Sequence, residues 1–269
     1  MCGEPLINIS RLPVCRECLH AIHRIAGGVC SICGERLFSA YALPLNEDGG
    51  PARCGLCRRA EPPFVRAAAY GSYDGGLRDL IHLLKYSSVR PAANVLGRML
   101  AEAVVELGTD FSDASIIVVP VPLHRAKLRQ RQFNHAELIA RAAMKLCGKT
   151  GRFQLSPGVL ERKRETPSQT GLTSHQRREN VRGAFAVAQP EIVKGHEVLV
   201  LDDVYTTGAT VSECARVLRR AGATKVWVAT VARTLKAQEQ HVEIQVRGDG
   251  VEADDLPVGQ QFVARAAGS

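Results

Sequence analysis

Val198-Leu199-Val200-Leu201-Asp202-Asp203-Val204-Tyr205-Thr206-Thr207-Gly208-Ala209-Thr210 is the stretch from which the rest of the chain can be read. Four consecutive apolar residues make a short strand buried on both faces, as in parallel sheets. Two adjacent carboxylates follow at its carboxyl end, where open α/β sheets bind ligands. A Thr- and Gly-rich turn then leads into an amphipathic helix. Threonine hydroxyls, a glycine that permits close backbone approach and the N–H groups of a helix start together form a phosphate cradle. The carboxylates cannot face that phosphate, since like charges repel. They accept hydrogen bonds from hydroxyls instead, or hold a metal that offsets their charge. A phosphate and a diol on one ligand describe a ribose 5-phosphate. The plainer alternative is a buried strand with an N-capping Asp and a Thr-Gly turn. A Walker A loop is excluded, because no Lys follows the glycine and the acids precede it.

Working outward, alternating strand and helix patterns surround this stretch. Strands are expected over residues 65–73, 115–120, 183–187, 197–201 and 225–231. Helices are expected over 75–86, 91–107, 134–147 and 211–221, with an irregular polar segment over 161–180. Such alternation implies an α/β fold with a doubly wound, mostly parallel sheet covered on both faces. The expected organisation is a Cys-rich module over 1–62, ending near Pro62-Pro63, the α/β domain over 63–235, and an acidic, poorly ordered tail over 236–269.

The formal net charge of +8 is localised. Between His124 and Arg182 there are fourteen Lys or Arg against four Asp or Glu, so the remainder of the chain carries −2. The positive segments flank the strand-end site, which suits an anionic ligand, whether pyrophosphate or a nucleic-acid backbone. No run of eighteen apolar residues is present, so no membrane span is expected. The N-terminus MCGEPLINIS has neither a basic leader nor a long apolar core, and a cytoplasmic location is expected.

Seven of the nine cysteines fall within the first fifty-seven residues. Cys30-x-x-Cys33 and Cys54-x-x-Cys57 have zinc-ribbon spacing, and in a reducing compartment two such knuckles supply four thiolates to one Zn(II). Cys15 and Cys18 form a third pair. With Cys2 and either His20 or His23 it would make a second site; truncation or decay of an upstream knuckle is the alternative. Cys147 and Cys214 lie at apolar helical positions and are expected in the core.

The stretch 198–210 resembles the phosphoribosyl-pyrophosphate (PRPP) motif of type I phosphoribosyltransferases. The resemblance implies that Asp202 and Asp203 are the catalytic acids on the ribose hydroxyls. It also implies that Thr206, Thr207, Gly208, Ala209 and Thr210 hold the 5-phosphate of PRPP, bound with Mg(II). His124, Arg125, Arg129 and Arg131 then occupy the pyrophosphate position. Arg164, Thr166, Gln169 and Thr170 belong to a mobile loop that closes over the reacting centre and excludes water.

Taken in order, the cysteine knuckles, Tyr73-Asp74-Gly75, Ile81-His82-Leu83-Leu84-Lys85-Tyr86, Pro120 to Asn134, Thr166 to Leu172, Asn180 to Phe185 and the PRPP stretch resemble the competence protein F (ComF) family. That resemblance implies a type I phosphoribosyltransferase-like sheet preceded by a zinc ribbon, and a role in DNA uptake alongside uptake-machinery proteins. One departure is Arg131-Gln132-Phe133-Asn134, where the family has glycine after the arginine. If that position takes positive φ, Gln132 costs roughly 1 kcal/mol. Two functions follow. One is a phosphoribosyltransferase with an unidentified acceptor. The other is a non-catalytic module that binds single-stranded DNA and keeps PRPP or a nucleotide as regulator.

Overall fold

A computed structural model of the chain describes residues 12–37, 50–112, 114–147, 151–167, 171 and 173–235. The expected acidic tail, Cys2, Gln169 and Thr170 lie outside the described residues.

Seven strands are present among the described residues: β1 (Arg66–Ser72), β2 (Ile116–Pro120), β3 (Phe153–Leu155), β4 (Leu160–Arg162), β5 (Phe185–Val187), β6 (Glu197–Tyr205) and β7 (Lys225–Arg233). Five of them form one sheet in the order β1-β7-β6-β2-β3, parallel at every pairing. The helices are α1 (Arg16–His20), α2 (Gly55–Arg59), α3 (Gly75–Tyr86), α4 (Ala92–Leu107), α5 (Arg125–Arg131), α6 (His135–Cys147), α7 (Ser174–Val181), α8 (Pro190–Val193) and α9 (Ala209–Arg220).

Strand periodicity sorts the core into two layers. Ile116, Val118, Leu199 and Leu201 pack on one face with Leu80, Leu96 and Ile139 from α3, α4 and α6. Ile117, Val119, Val198 and Val200 pack on the other with Val211, Cys214 and Leu218 of α9 and with Cys30, Cys33 and Cys57. Cys214 is therefore core, as expected, while Cys147 is half-buried.

Order along the sheet fixes where a ligand can enter. From β2 the chain proceeds outward to β3; from the adjacent β6 it proceeds the other way, to β7. The boundary between β2 and β6 is thus a topological switch point, whose carboxyl-end crevice is the binding position in open α/β sheets. β2 ends at Pro120, opposite Leu201, while β6 stays paired with β7 as far as Tyr205 opposite Arg233. Asp202 and Asp203 sit at that step.

Several segments differ from the sequence reading, among them the edge strand β3, where no strand was expected. The basic turn after Pro120 is helix α5. The polar segment 161–180 contains β4 and helix α7, whose Thr173 and Gln176 form a capping box. β5 pairs antiparallel with β4 in a separate two-stranded ribbon, outside the main sheet.

Candidate phosphoribosyl and metal sites

Asp203 shares the face of Leu199 and Leu201, which turns it toward α3 and α6. There it forms an ion pair with Lys85 Nζ, the two side chains being 5% and 16% exposed. His135 Nε2 lies 3.6 Å from Asp203 Oδ1, and Arg131 Nη1 lies 3.3 Å from His135 Nδ1. A guanidinium only donates, so Nδ1 accepts and the imidazole proton sits on Nε2, facing the carboxylate. Burial works to raise the Asp203 carboxyl, but Lys85 and His135 outweigh it and hold the group well below the usual carboxylate range. Asp202 forms no direct ion pair among the described residues: burial and the neighbouring Asp203 push its carboxyl up, with the Lys85 charge opposing. Its Oδ1 accepts the Asp203 N–H at 2.9 Å. Burial pushes the His135 imidazole down, with Asp203 opposing.

Both acids line a cavity of about 650 Å³. Thr206 and Thr210 line it from the loop, and Lys85, Lys127, Arg131 and Arg162 supply cations. Helical period explains which members of the basic run take part. Lys127 and Arg131, four residues apart on α5, share a face and reach the cavity. Arg125 and Arg129 are exposed elsewhere, and neither they nor His124 line the cavity. His124 instead caps α5, its Nδ1 accepting the Ala126 N–H at 3.3 Å. Burial, together with the Arg162 and Arg131 charges, pushes the Lys127 ammonium down.

Behind the acids, Gly208 caps α9 in the left-handed region (φ 75°) with no side-chain capping bond. The first-turn N–H groups of a helix have no helical acceptor, so this start presents donors and a positive dipole end. Only glycine fits: a Cβ at position 208 would lie 2.2 Å from the Tyr205 hydroxyl. Thr207 and Ala209 face a second cavity of about 900 Å³, which shares Thr206 with the first. Thr207 Oγ1 is buried and has no hydrogen-bond partner among the described residues.

Of the expected closing loop, Thr166 is 2% exposed and accepts from Arg162 Nη2. Arg164 is exposed, and its Nη2 donates to the carbonyls of Asn180 (3.0 Å) and Arg182 (2.9 Å).

The four cysteines of the two knuckles converge. Their sulfurs lie within 4.8 Å of one another, with Cys33 Sγ and Cys54 Sγ at 3.7 Å. A tetrahedron with metal–sulfur bonds of ~2.3 Å has edges of ~3.8 Å, so the donor set and spacing fit zinc. Cys15 caps α1 and accepts the Cys18 N–H at 3.3 Å. Among the described residues this pair joins no cluster of three candidate ligands. The other such cluster is His135, Asp202 and Asp203. Magnesium is held by one or two carboxylates together with substrate phosphates, a role that Asp202 at the cavity wall fits.

Lys85, Lys127, His135 and Arg162 were not singled out as site residues by sequence. For Lys127 the signal was available, since it stands four residues before Arg131. For Lys85 and His135 no spacing ties α3 or the start of α6 to a strand end so distant in the chain.

Comparisons with known proteins fit this geometry. The family described as phosphoribosyl transferase domain matches residues 138–262. DNA utilization protein YhgH of Escherichia coli is 33% identical over 221 residues, covering 77% of this chain and 91% of that protein. Competence protein F of Haemophilus influenzae is 27% identical over 230 residues, covering 81% and 96%. Competence protein ComFC of Bacillus subtilis is 22% identical over 209 residues, covering 78% and 79%.

Proposed function

The chain belongs to the competence protein F family of proteins with a phosphoribosyltransferase-type domain, and on that premise we propose that it binds PRPP with Mg(II) in DNA utilization. The observation that carries the ligand is the pairing, at one switch point, of an uncapped helix start behind Gly208 with two acids of opposite environment. The 5-phosphate occupies the α9 start, lined by Thr206 and Thr210. Asp202 accepts the ribose hydroxyls or meets the magnesium that accompanies the diphosphate. Lys127 and Arg131 receive the pyrophosphate. Asp203, neutralised by Lys85, fixes the geometry of Asp202 through its backbone N–H. Turnover at C1 of the ribose would rest on positioning and charge stabilisation; the acceptor is unassigned. The cysteine cluster holds Zn(II) as a structural ion. The names of the relatives support the link to DNA.

Calorimetry with PRPP and magnesium, on wild type and on Asp202→Asn with Asp203→Asn, tests this reading. Heat in wild type that is lost in the variant supports it; no heat in wild type overturns it.

One observation favours DNA contact on the same fold. Tyr86 is 68% exposed at the cavity rim, with Arg131 Cζ 5.1 Å from its ring centroid and the His82 ring at 5.2 Å. An exposed ring beside cations is a stacking platform for single strands, worth about 1–3 kcal/mol per base. Tyr86→Ala should weaken retention of a single-stranded oligonucleotide by about five-fold or more. Unchanged retention removes this second role.

A further inference from the structure

The cysteine cluster and the phosphate loop are joined through one buried cation. Arg233 ends β7 and is 4% exposed. Its Nη1 donates to the Cys33 carbonyl at 2.5 Å, and its Nη2 donates to Glu35 Oε2 at 2.8 Å and lies 3.7 Å from Cys33 Sγ. Its Cζ lies 4.2 Å from the centroid of the Tyr205 ring. Tyr205 is 7% exposed, braced edge-on by Phe64, and its hydroxyl fills the space where a Cβ on Gly208 would stand. A metal-ligand cysteine, an arginine, a tyrosine and the glycine that opens the phosphate loop are thus in successive contact. Each of these residues is buried, and Cys33, Tyr205 and Arg233 line the same cavity of about 900 Å³ that Thr207 and Ala209 face.

We propose that Arg233 and Tyr205 are positioning residues that couple metal occupancy of the cysteine cluster to anion binding at residues 206–210. The cluster fixes the Cys33 carbonyl and sulfur; these hold the guanidinium; the guanidinium holds the ring against which the left-handed Gly208 turn is formed. When the four sulfurs are no longer tied together, the knuckle backbone loses its fixed place and Arg233 loses two of its acceptors. Tyr205 then gains freedom, and the donors at the α9 start lose their preorganised geometry. Coupling of this kind is reciprocal: ligand at the loop strengthens metal retention by the same factor. Its ligand arm rests on the PRPP reading above; its conformational arm does not.

The test uses the full chain, zinc-loaded and chelator-stripped, with zinc content measured. Two readouts are taken: hydrogen exchange of the peptide spanning residues 204–211 and PRPP affinity with magnesium. In wild type, stripping should speed exchange in that peptide and weaken PRPP about ten-fold, within the usual range of coupling. Arg233→Met should retain zinc, show the fast exchange and weak binding already, and change little further on stripping. Tyr205→Leu breaks the chain one contact later without stranding a buried charge, and should behave alike; it decides the matter if Arg233→Met does not fold. The proposal is overturned if the folded variants match zinc-loaded wild type, or if they lose as much on stripping as wild type does. If no form binds PRPP, the PRPP reading fails, and the exchange comparison still decides the coupling.

Discussion

Lys85 forms its ion pair with Asp203 and not with Asp202, although the two acids are adjacent in sequence and share one cavity. One acid is thereby a fixed structural anion and the other is available to hydroxyls or a metal. Lys85→Met strands Asp203 in the interior, and removing one partner of a buried pair costs ~3–5 kcal/mol. Urea denaturation should show that loss, and PRPP binding should fall with it. Adding Asp203→Leu to Lys85→Met should recover most of the stability, since well-packed apolar groups replace buried pairs at little cost. PRPP binding should stay weak. Recovery of both would make Asp203 dispensable to the site.

Gly208→Ala tests the loop separately. The substitution places a Cβ at φ 75° and 2.2 Å from the Tyr205 hydroxyl. The left-handed conformation alone costs about 1–2 kcal/mol, and displacement of the ring adds to it. Relieving the clash with Tyr205→Leu should return only part of that cost, because the backbone strain remains. Thermal denaturation of the two single variants and the double variant measures each share.

The legible parts of this chain were those written in local periodicity. The apolar run at 198–201 and the three-and-four spacing of α3, α4, α6 and α9 carry their own signal, and so do acids placed directly after a buried strand. Gln132 was also readable: its φ of 62° at the cap of α5 is the positive φ whose strain was anticipated for that turn. α7 escaped because Ser174–Val181 has almost no apolar face, although Thr173 and Gln176 spell a capping box. β3 and β4 are three residues each, too short for a period to show, and β5, expected as a strand over 183–187, gave no sign that it pairs outside the main sheet. Lys85, His135 and Arg233 act through partners on other elements, and only the sheet order brings them there. Long-range register, not local propensity, determines their roles.

Glu197, at the start of β6, gives an acid-limb prediction. It is 6% exposed, accepts from Trp227 Nε1 at 3.0 Å and lies 3.2 Å from Lys225 Nζ. Burial would raise its carboxyl, but Trp227 and Lys225 outweigh it and hold the group below its ordinary value. A depressed folded pKa contributes stability that is present above the unfolded value of about 4.3 and lost as pH falls through the folded one. Glu197→Gln should therefore cost about 1–2 kcal/mol at pH 7, and the gap to wild type should narrow below about pH 4. Chemical denaturation at pH 7, 5 and 3.5 measures it; a gap constant across that range would show that the ion does not contribute.

Gln132→Gly should stabilise the protein, against the usual direction for glycine. Gln132 caps α5 in the left-handed region, its N–H donating to the Leu128 carbonyl at 2.7 Å, and it is exposed. Glycine relieves about 1–2 kcal/mol of left-handed strain and gives back about 0.5–1 kcal/mol through a more disordered unfolded chain. The net gain is ~0.5–1 kcal/mol, which for a chain of this size raises the melting temperature by about 1–4 °C. Gln132→Ala is the control: it keeps the Cβ and the strain, so it should leave stability within about 0.5 kcal/mol of wild type. Because α5 carries Lys127 and Arg131 into the cavity, the relaxed turn should also leave PRPP affinity within two-fold. An affinity loss with a stability gain would mean that the strained turn aims those two cations.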